Sequence, residues 1–264
     1  MVLAVLATLA TLQSVTWEPA RPIQGSLIVV AAPDGVYGEL AGEPLHFADG
    51  RALAAVPLGA TDSVELDVLT GIEGVVENKV MWVPVTPRQA AGETVQAAER
   101  FTPPPDSGLL VRINRERGLS LEAARRAHEL PRLWKAPFQR PRATRVTSPF
   151  GAGREVNGVW RSTHSGLDIS GRKGDPVRAS NRGVVALVGN FFYGGMCIYV
   201  LHGEGLMTLY YHLSRTLVSA GDTVERGQVI GRVGATGRVT GPHLHWGAQY
   251  GAIAFDPADL LTLP

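Results

Sequence analysis

The chain is expected to be mainly β, and three observations carry that expectation. Its 264 residues include 31 glycines and 18 prolines, a content that suits many short strands joined by turns. Its apolar residues fall in short runs, several alternating with polar residues at the two-residue period of a half-buried strand. One stretch near the middle carries the pattern of a helix. The expected architecture is an amino-terminal β-sandwich of immunoglobulin-like type over 16–100, a proline-containing helical connector over 101–140, and a carboxy-terminal antiparallel β domain over 141–264.

The elements follow in order. Met1 to Leu12 are apolar and Ala/Leu-rich, too short to span a bilayer but of a length that suits a secretory signal. No Lys or Arg precedes them, so residues 1–15 would be an atypical leader; the chain is expected to be exported, to the periplasm, cell envelope or beyond. In the next segment Val64, Leu66 and Val68 alternate with Glu65 and Asp67, and Leu27 to Ala32 and Val75 to Val83 predict further strands. Pro103-Pro104-Pro105 marks a stiff connector. Between Ser107 and Leu130 lies the helix, with Ser120 a candidate cap, Leu121, Ala124 and Ala127 near one face, Gly118 a candidate interruption and Pro131 after its end. A basic link from Lys135 to Arg145 leads into the last domain. There Val184 to Leu187, Ile198 to Leu201, Leu206 to Tyr211 and Val229 to Val233 are apolar runs bounded by glycines.

The bulk numbers exclude some functions. A formal net charge of +1 gives no reason to expect nucleic acid as a partner. The single cysteine, Cys197, provides neither a disulfide framework nor a thiolate zinc site, and is expected to be a small buried strand residue.

Seven histidines occur, and four of them with one aspartate fall into three short stretches: His164-Ser165-Gly166-Leu167-Asp168, Tyr210-Tyr211-His212-Leu213-Ser214 and His243-Leu244-His245. Imidazole with carboxylate suits zinc, whose catalytic sites take three protein ligands and leave a fourth position open. A strand places residues i and i+2 on one face, so His243 and His245 face one cavity while Leu244 enters the core. His164 and Asp168 are four apart, but Gly166 and the following Ile169-Ser170-Gly171 favour a loop entering a strand over a helix. The helical His-Glu-x-x-His motif is absent. His46 is isolated and expected to be surface or structural, His128 a helix residue, His202 a structural residue at a strand-ending turn. Tyr210 and Tyr211 are expected on opposite faces of a strand. Asp175 and Asp222, each in Gly-Asp-x-Val, are expected to form turns.

Together Ser148-Pro149-Phe150-Gly151, His164-x-x-x-Asp168, Tyr211-His212-Leu213, Gly221-Asp222-x-Val224-x-x-Gly227-Gln228-x-Ile230-Gly231, and Gly234-x-Thr236-Gly237 through Gly241-Pro242-His243-Leu244-His245 resemble peptidase family M23, the LytM/lysostaphin-type zinc endopeptidases of bacterial cell walls. The likeness covers roughly residues 145–260 and leaves the amino-terminal half unmatched. It implies that His164, Asp168 and His245 bind one Zn2+ per chain, with His212 and His243 as catalytic histidines beside a metal-activated water. One carboxylate and two neutral imidazoles would leave the centre near +1, preserving Lewis acidity toward a peptide carbonyl. The implied substrate is a peptide cross-link of peptidoglycan; which bond is cut, and how His212 and His243 divide their work, stay open. Loops around Asn190 to Gly195 and Thr147 to Thr163 are expected to set the choice. Some members of the family lack ligands and act as modules that bind cell wall or activate an amidase, but here every position is filled. The Gly221 to Gly231 hairpin also resembles biotinyl and lipoyl carriers, yet no lysine follows Lys173 to hold such a cofactor. The amino-terminal domain would bind wall, dock an envelope protein or cover the active site.

Overall fold

Strand alternation organises both halves of the chain. The computed structural model describes residues 15–263 apart from 73–74, 91, 102–103 and 159, so the expected leader falls outside the described residues save for Val15. In the amino-terminal half, Thr16–Glu18, Leu27–Ala31 and Arg51–Ala55 form one antiparallel sheet. Glu43–Pro44, Gly35–Leu40, Ser63–Ile72 and Val75–Pro84 form a second. Val64, Leu66 and Val68 are buried, with Ile28, Val30, Ala52 and Ala54, in a core shared by the two sheets, while Glu65 between them is exposed. The half is therefore a two-sheet sandwich.

The helix spans Ser107–Glu129 without a break at Gly118. Its cap is Asp106, whose carboxylate accepts from the Leu109 amide at 2.8 Å, and not Ser120. Ser120 sits mid-helix, its hydroxyl bonded back to the Glu116 carbonyl and lying 2.9 Å from the Tyr199 hydroxyl. Ala123, Ala124 and Ala127 pack on Tyr199, Leu201, Met207 and Leu209, whereas Leu121 is exposed. Small side chains let the helix lie close on the sheet.

That sheet is the frame of the carboxy-terminal half. Its strands run in the order Thr223–Val224, Gly183–Phe191, Gly195–Gly203, Leu206–Thr216, His243–Tyr250, Gly166–Ser170, Val146–Ser148, and all the pairings along this path are antiparallel. One face, with Leu167, Ile169, Tyr210, Leu244, Trp246 and Ala248, closes on a core that Trp134 and Phe138 of the connector complete. The opposite face carries the helix. Cys197 is buried on that face, and burial pushes its thiol up to about 12. Asp175 and Asp222 accept from the Arg172 and Ser219 amides, the turn role expected of them.

The sandwich is bolted to this domain. Leu27 donates its amide to Asp259 at 2.8 Å, Arg88 pairs with Asp256 at 3.2 Å, and the Tyr250 hydroxyl donates to the Pro44 carbonyl. His46 is not isolated: its Nε2 lies 2.9 Å from Nδ1 of His128, whose Nε2 lies 3.0 Å from Glu43. One strand departs from the expected plan. Gly92–Val95, expected in the sandwich, runs parallel to Gly153–Val156 in a small sheet with Trp160–Thr163.

His202 is fully buried, its Nδ1–H donating to the Arg182 carbonyl while Nε2 lies 2.8 Å from the Thr208 hydroxyl. Burial holds its pKa down to about 4. The unfolded chain takes up a proton near 6.5, so this group's stabilisation is complete above that pH and is lost as pH falls toward 4. The loss amounts to about 3 kcal/mol. Urea unfolding at pH 7 and pH 4.5 is expected to show a smaller acid loss for His202→Gln than for the unaltered chain.

Candidate metal centre

Register builds the centre. Asp168 on Gly166–Ser170 stands directly across from His245 on His243–Tyr250; His245 in turn faces Tyr211, and Asp168 faces Ser148. Ser148, Asp168, His245 and Tyr211 thus form one row across four adjacent strands, on the face opposite the core. His243 lies two residues along, opposite Ser170. His164 closes the group from the turn that precedes Gly166–Ser170, held by its amide on the Ala152 carbonyl at 2.8 Å.

His164, Asp168 and His245 are buried and offer ligand atoms that all lie within 4.8 Å of one another. Oδ1 of Asp168 is 3.1 Å from Nε2 of His164 and 3.0 Å from Nδ1 of His245, and those two nitrogens are 2.9 Å apart. A tetrahedral zinc with ligands at about 2.0–2.1 Å would hold them roughly 3.3 Å apart, so this triangle matches one face of its coordination shell closely. The backs of the rings are braced. Nδ1–H of His164 donates to the Pro149 carbonyl at 2.8 Å, which leaves Nε2 free to ligate. The Tyr211 ring stacks on His245 at 5.2 Å and 8°, and its hydroxyl reaches Tyr199 at 2.7 Å, which reaches Ser120 on the helix.

His212 belongs to the same face through a departure from regular strand. Alternation alone would send it away from the side of Tyr211, but its φ is +64°. Such a left-handed residue costs roughly 1–2 kcal/mol. The conformation is held by its amide on the Gly194 carbonyl and by Nδ1–H on the Thr236 carbonyl, both at 2.9 Å. Its ring centre comes within 5.0 Å of His243 and 5.9 Å of His245. His243 is oriented likewise, Nδ1–H donating to the Gly241 carbonyl at 2.9 Å, with Nε2 3.5 Å from Oδ1 of Asp168. Tyr210 points the other way into the core, as expected.

The electrostatics separate these groups. Burial would raise the Asp168 pKa, but the surrounding rings of His164, His243 and His245 outweigh it and hold the carboxylate well below its usual range. Burial holds His245 down to about 4, and burial with the neighbouring histidines holds His212 well below its usual value. His243 is also pulled down by burial, yet Asp168 overcomes this and its pKa is raised. His245 and His212 are therefore held neutral beside an ionised carboxylate, whose single charge would bring a bound divalent cation to +1.

All five residues expected from the sequence come together. Arg154 was not among them. Its Nη2 donates to Oδ2 of Asp168 at 2.5 Å and to the Ser148 hydroxyl at 2.8 Å, so Asp168 keeps one oxygen for the cavity and gives the other to Arg154. No spacing rule links Arg154 to a carboxylate fourteen residues on. The bracing by Tyr211 was likewise invisible until its strand was paired with that of His245. A cleft of about 170 Å³ opens on the centre, walled by Arg154, Thr163, Tyr193, Tyr211 and Arg238, among others, so both expected loop regions do border it.

Residues 162–257 match the model of Peptidase family M23. The chain carries an M23 domain. The chain is similar to the peptidoglycan DD-endopeptidase ShyA of Vibrio cholerae serotype O1, 49% identical over 104 residues, which are 39% of this chain and 24% of that protein. It is similar also to the DD-carboxypeptidase/endopeptidase Mpg of Neisseria meningitidis serogroup B, 41% identical over 118 residues, 44% of this chain and 27% of that one. The match thus spans about a quarter of the length of these curated relatives. Among solved structures, a candidate M23 peptidase from Pseudomonas aeruginosa aligns over 91% of this chain and 94% of its own, with a TM-score of 0.70 and 29% identity. That likeness extends past the M23 domain into the amino-terminal half.

Gly166 lies under the candidate metal centre in the M23 domain. A Cβ there would stand 2.6 Å from Nε2 of His245 and 2.7 Å from the Trp246 carbonyl, between a stacked ring and a paired strand that have no room to move. Gly166→Ala is expected to weaken metal affinity by about tenfold or more, as loss of ligand orientation does. Competition with a chromogenic chelator measures it.

Proposed function

We propose that the chain is a zinc-dependent endopeptidase that hydrolyses peptide cross-links of bacterial peptidoglycan. The observation that carries this reading is the convergence of His164, Asp168 and His245 as a ligand triangle with His212 and His243 beside it, all five in an M23 domain. The substrate class is supported by relatives named as peptidoglycan DD-endopeptidase and DD-carboxypeptidase/endopeptidase. Peptidoglycan lies outside the cytoplasm, so the reading goes with export.

His164 through Nε2, His245 through Nδ1 and Asp168 through Oδ1 would hold the zinc. When bound, zinc supplies Lewis acidity to a peptide carbonyl and to a water molecule. The chain's own part is positional and acid–base. His212 and His243 each spend Nδ1–H on a backbone carbonyl, which leaves Nε2 to take a proton from the attacking water or to hand one to the leaving amine. Burial keeps His212 neutral and so able to accept. Arg154 fixes the second oxygen of Asp168 and so keeps the carboxylate from turning.

Purified protein is expected to bind one zinc and to convert cross-linked muropeptide dimers of peptidoglycan to monomers, and a chelator should stop the cleavage. His245→Ala should lose both metal and activity. His212→Ala should keep the metal while kcat falls about a hundredfold or more. Metal analysis alongside muropeptide chromatography checks both variants. Undiminished cross-link cleavage by His245→Ala would overturn the reading, and wall binding without any hydrolysis would point instead to a non-catalytic module.

A further inference from the structure

Glu93 stands where the peptidase reading leaves no role for it. It belongs to Gly92–Val95, upstream of the M23 domain, yet its side chain reaches the rim of the metal centre. One oxygen, Oε2, accepts from the Ser148 hydroxyl at 2.7 Å and from Nε of Arg154 at 3.3 Å. Both donors also touch the ligand triangle: Ser148 Oγ is 3.1 Å from Nδ1 of His164, and Arg154 holds Asp168. A hydroxyl and a guanidinium converging on a single carboxylate oxygen constitute a carboxylate site, one contact removed from the metal.

The backbone around Glu93 behaves as a bound peptide would. Gly92–Val95 is extended and adds in parallel to Gly153–Val156, with Glu93 opposite Arg154 and Val95 opposite Val156. Val95 then forms part of the wall of the cleft over the metal centre. None of these four residues enters the sandwich core. They are held by the pairing itself, by Asn157, which bonds both Val95 and Ala97, and further on by Phe101 against Phe192. The ion pair is partly open to solvent, with Arg154 18% and Glu93 27% exposed, so a competing carboxylate has a path to it.

The pocket that Glu93 itself lines holds Glu93 and Glu155 against Arg154, but the openings on the side of the metal centre are basic. Among its described residues the wall of the cleft holds Arg154 and Arg238 and no acid. Beyond His243 a wider groove of about 750 Å³ presents Arg142, Arg145 and Arg172 against the single acid Asp175.

We infer that Ser148 and Arg154 form a carboxylate-binding subsite beside the metal centre, filled by Glu93 in the free protein, and that a substrate peptide enters by placing its own free carboxylate there. The inference rests on the peptidase reading and deepens it. The substrate class it names is a peptide whose residue next to the scissile bond keeps its carboxylate unamidated. Glu93 is then a built-in competitor that the substrate must displace.

The test uses zinc-loaded full-length protein and two preparations of the same cross-linked muropeptide dimer, one with the free carboxylate and one with that group as carboxamide. Cleavage is followed by chromatography and binding by calorimetry. The carboxylate form is expected to bind and react about tenfold better. Glu93→Gln should raise kcat/KM for the carboxylate form several-fold, chiefly through KM. Ser148→Ala and Arg154→Gln should bring the ratio between the two forms near one, and metal content measured on each variant separates this from loss of zinc. Equal cleavage and equal binding of the two forms would overturn the subsite while leaving the peptidase reading intact. Carboxylate-dependent binding without cleavage would uphold the subsite and overturn the peptidase reading. Neither binding nor cleavage of either form would overturn both.

Discussion

The pairing of Gly166–Ser170 with His243–Tyr250 is the constraint on which the rest of the molecule depends. It sets Asp168 opposite His245 on one face and Leu167, Ile169, Leu244 and Trp246 on the other. Because side chains alternate, a slip of one residue would turn the carboxylate and imidazoles into the core and expose the large apolar side chains. Core and candidate metal centre are therefore specified by the same register. The hydrophobic effect that closes the core holds an ionised carboxylate among histidines on the reverse of the same strands.

The layers behind the ligands make that arrangement rigid. His164 is tied by a backbone carbonyl, Asp168 by Arg154, and His245 by the stacked Tyr211. Tyr211 passes its hydroxyl bond through Tyr199 to Ser120, so the helix supports the centre although none of its residues lines the cleft. The same helix accepts the Phe192 amide on Glu116 and donates from Arg112 to the Asn190 carbonyl, holding the loop that borders the opening. What begins as a connector is thus a brace.

The amino-terminal half takes part at two distances. Far from the metal centre the sandwich is fixed to the M23 domain through Leu27, Arg88 and the Glu43–His128–His46 contact. Near it, Gly92–Val95 leaves the sandwich and completes the wall of the cleft. The body of the sandwich is thus tied down, while one strand beyond it reaches the rim of the cleft.

Much of this was legible in the amino-acid sequence. The two-residue period located Val64, Leu66 and Val68 in a buried row, and the histidine spacing together with the M23 resemblance picked out the five residues that meet at the centre. Local pattern located the helix but misjudged its cap, because Ser120 is as good a cap as Asp106 by composition and only the extent of packing decides between them. It also separated His46 from His128, which meet across 82 positions. Arg154, Glu93 and the bracing role of Tyr211 were silent for one reason: each acts through a residue on another strand, and neither strand order nor register is written in local spacing. The sequence by itself determined which side chains alternate and which chemistry they carry. The tertiary structure decided which of them face one another, since contact across a sheet is set by pairing and by a left-handed turn at His212 that no two-residue period anticipates.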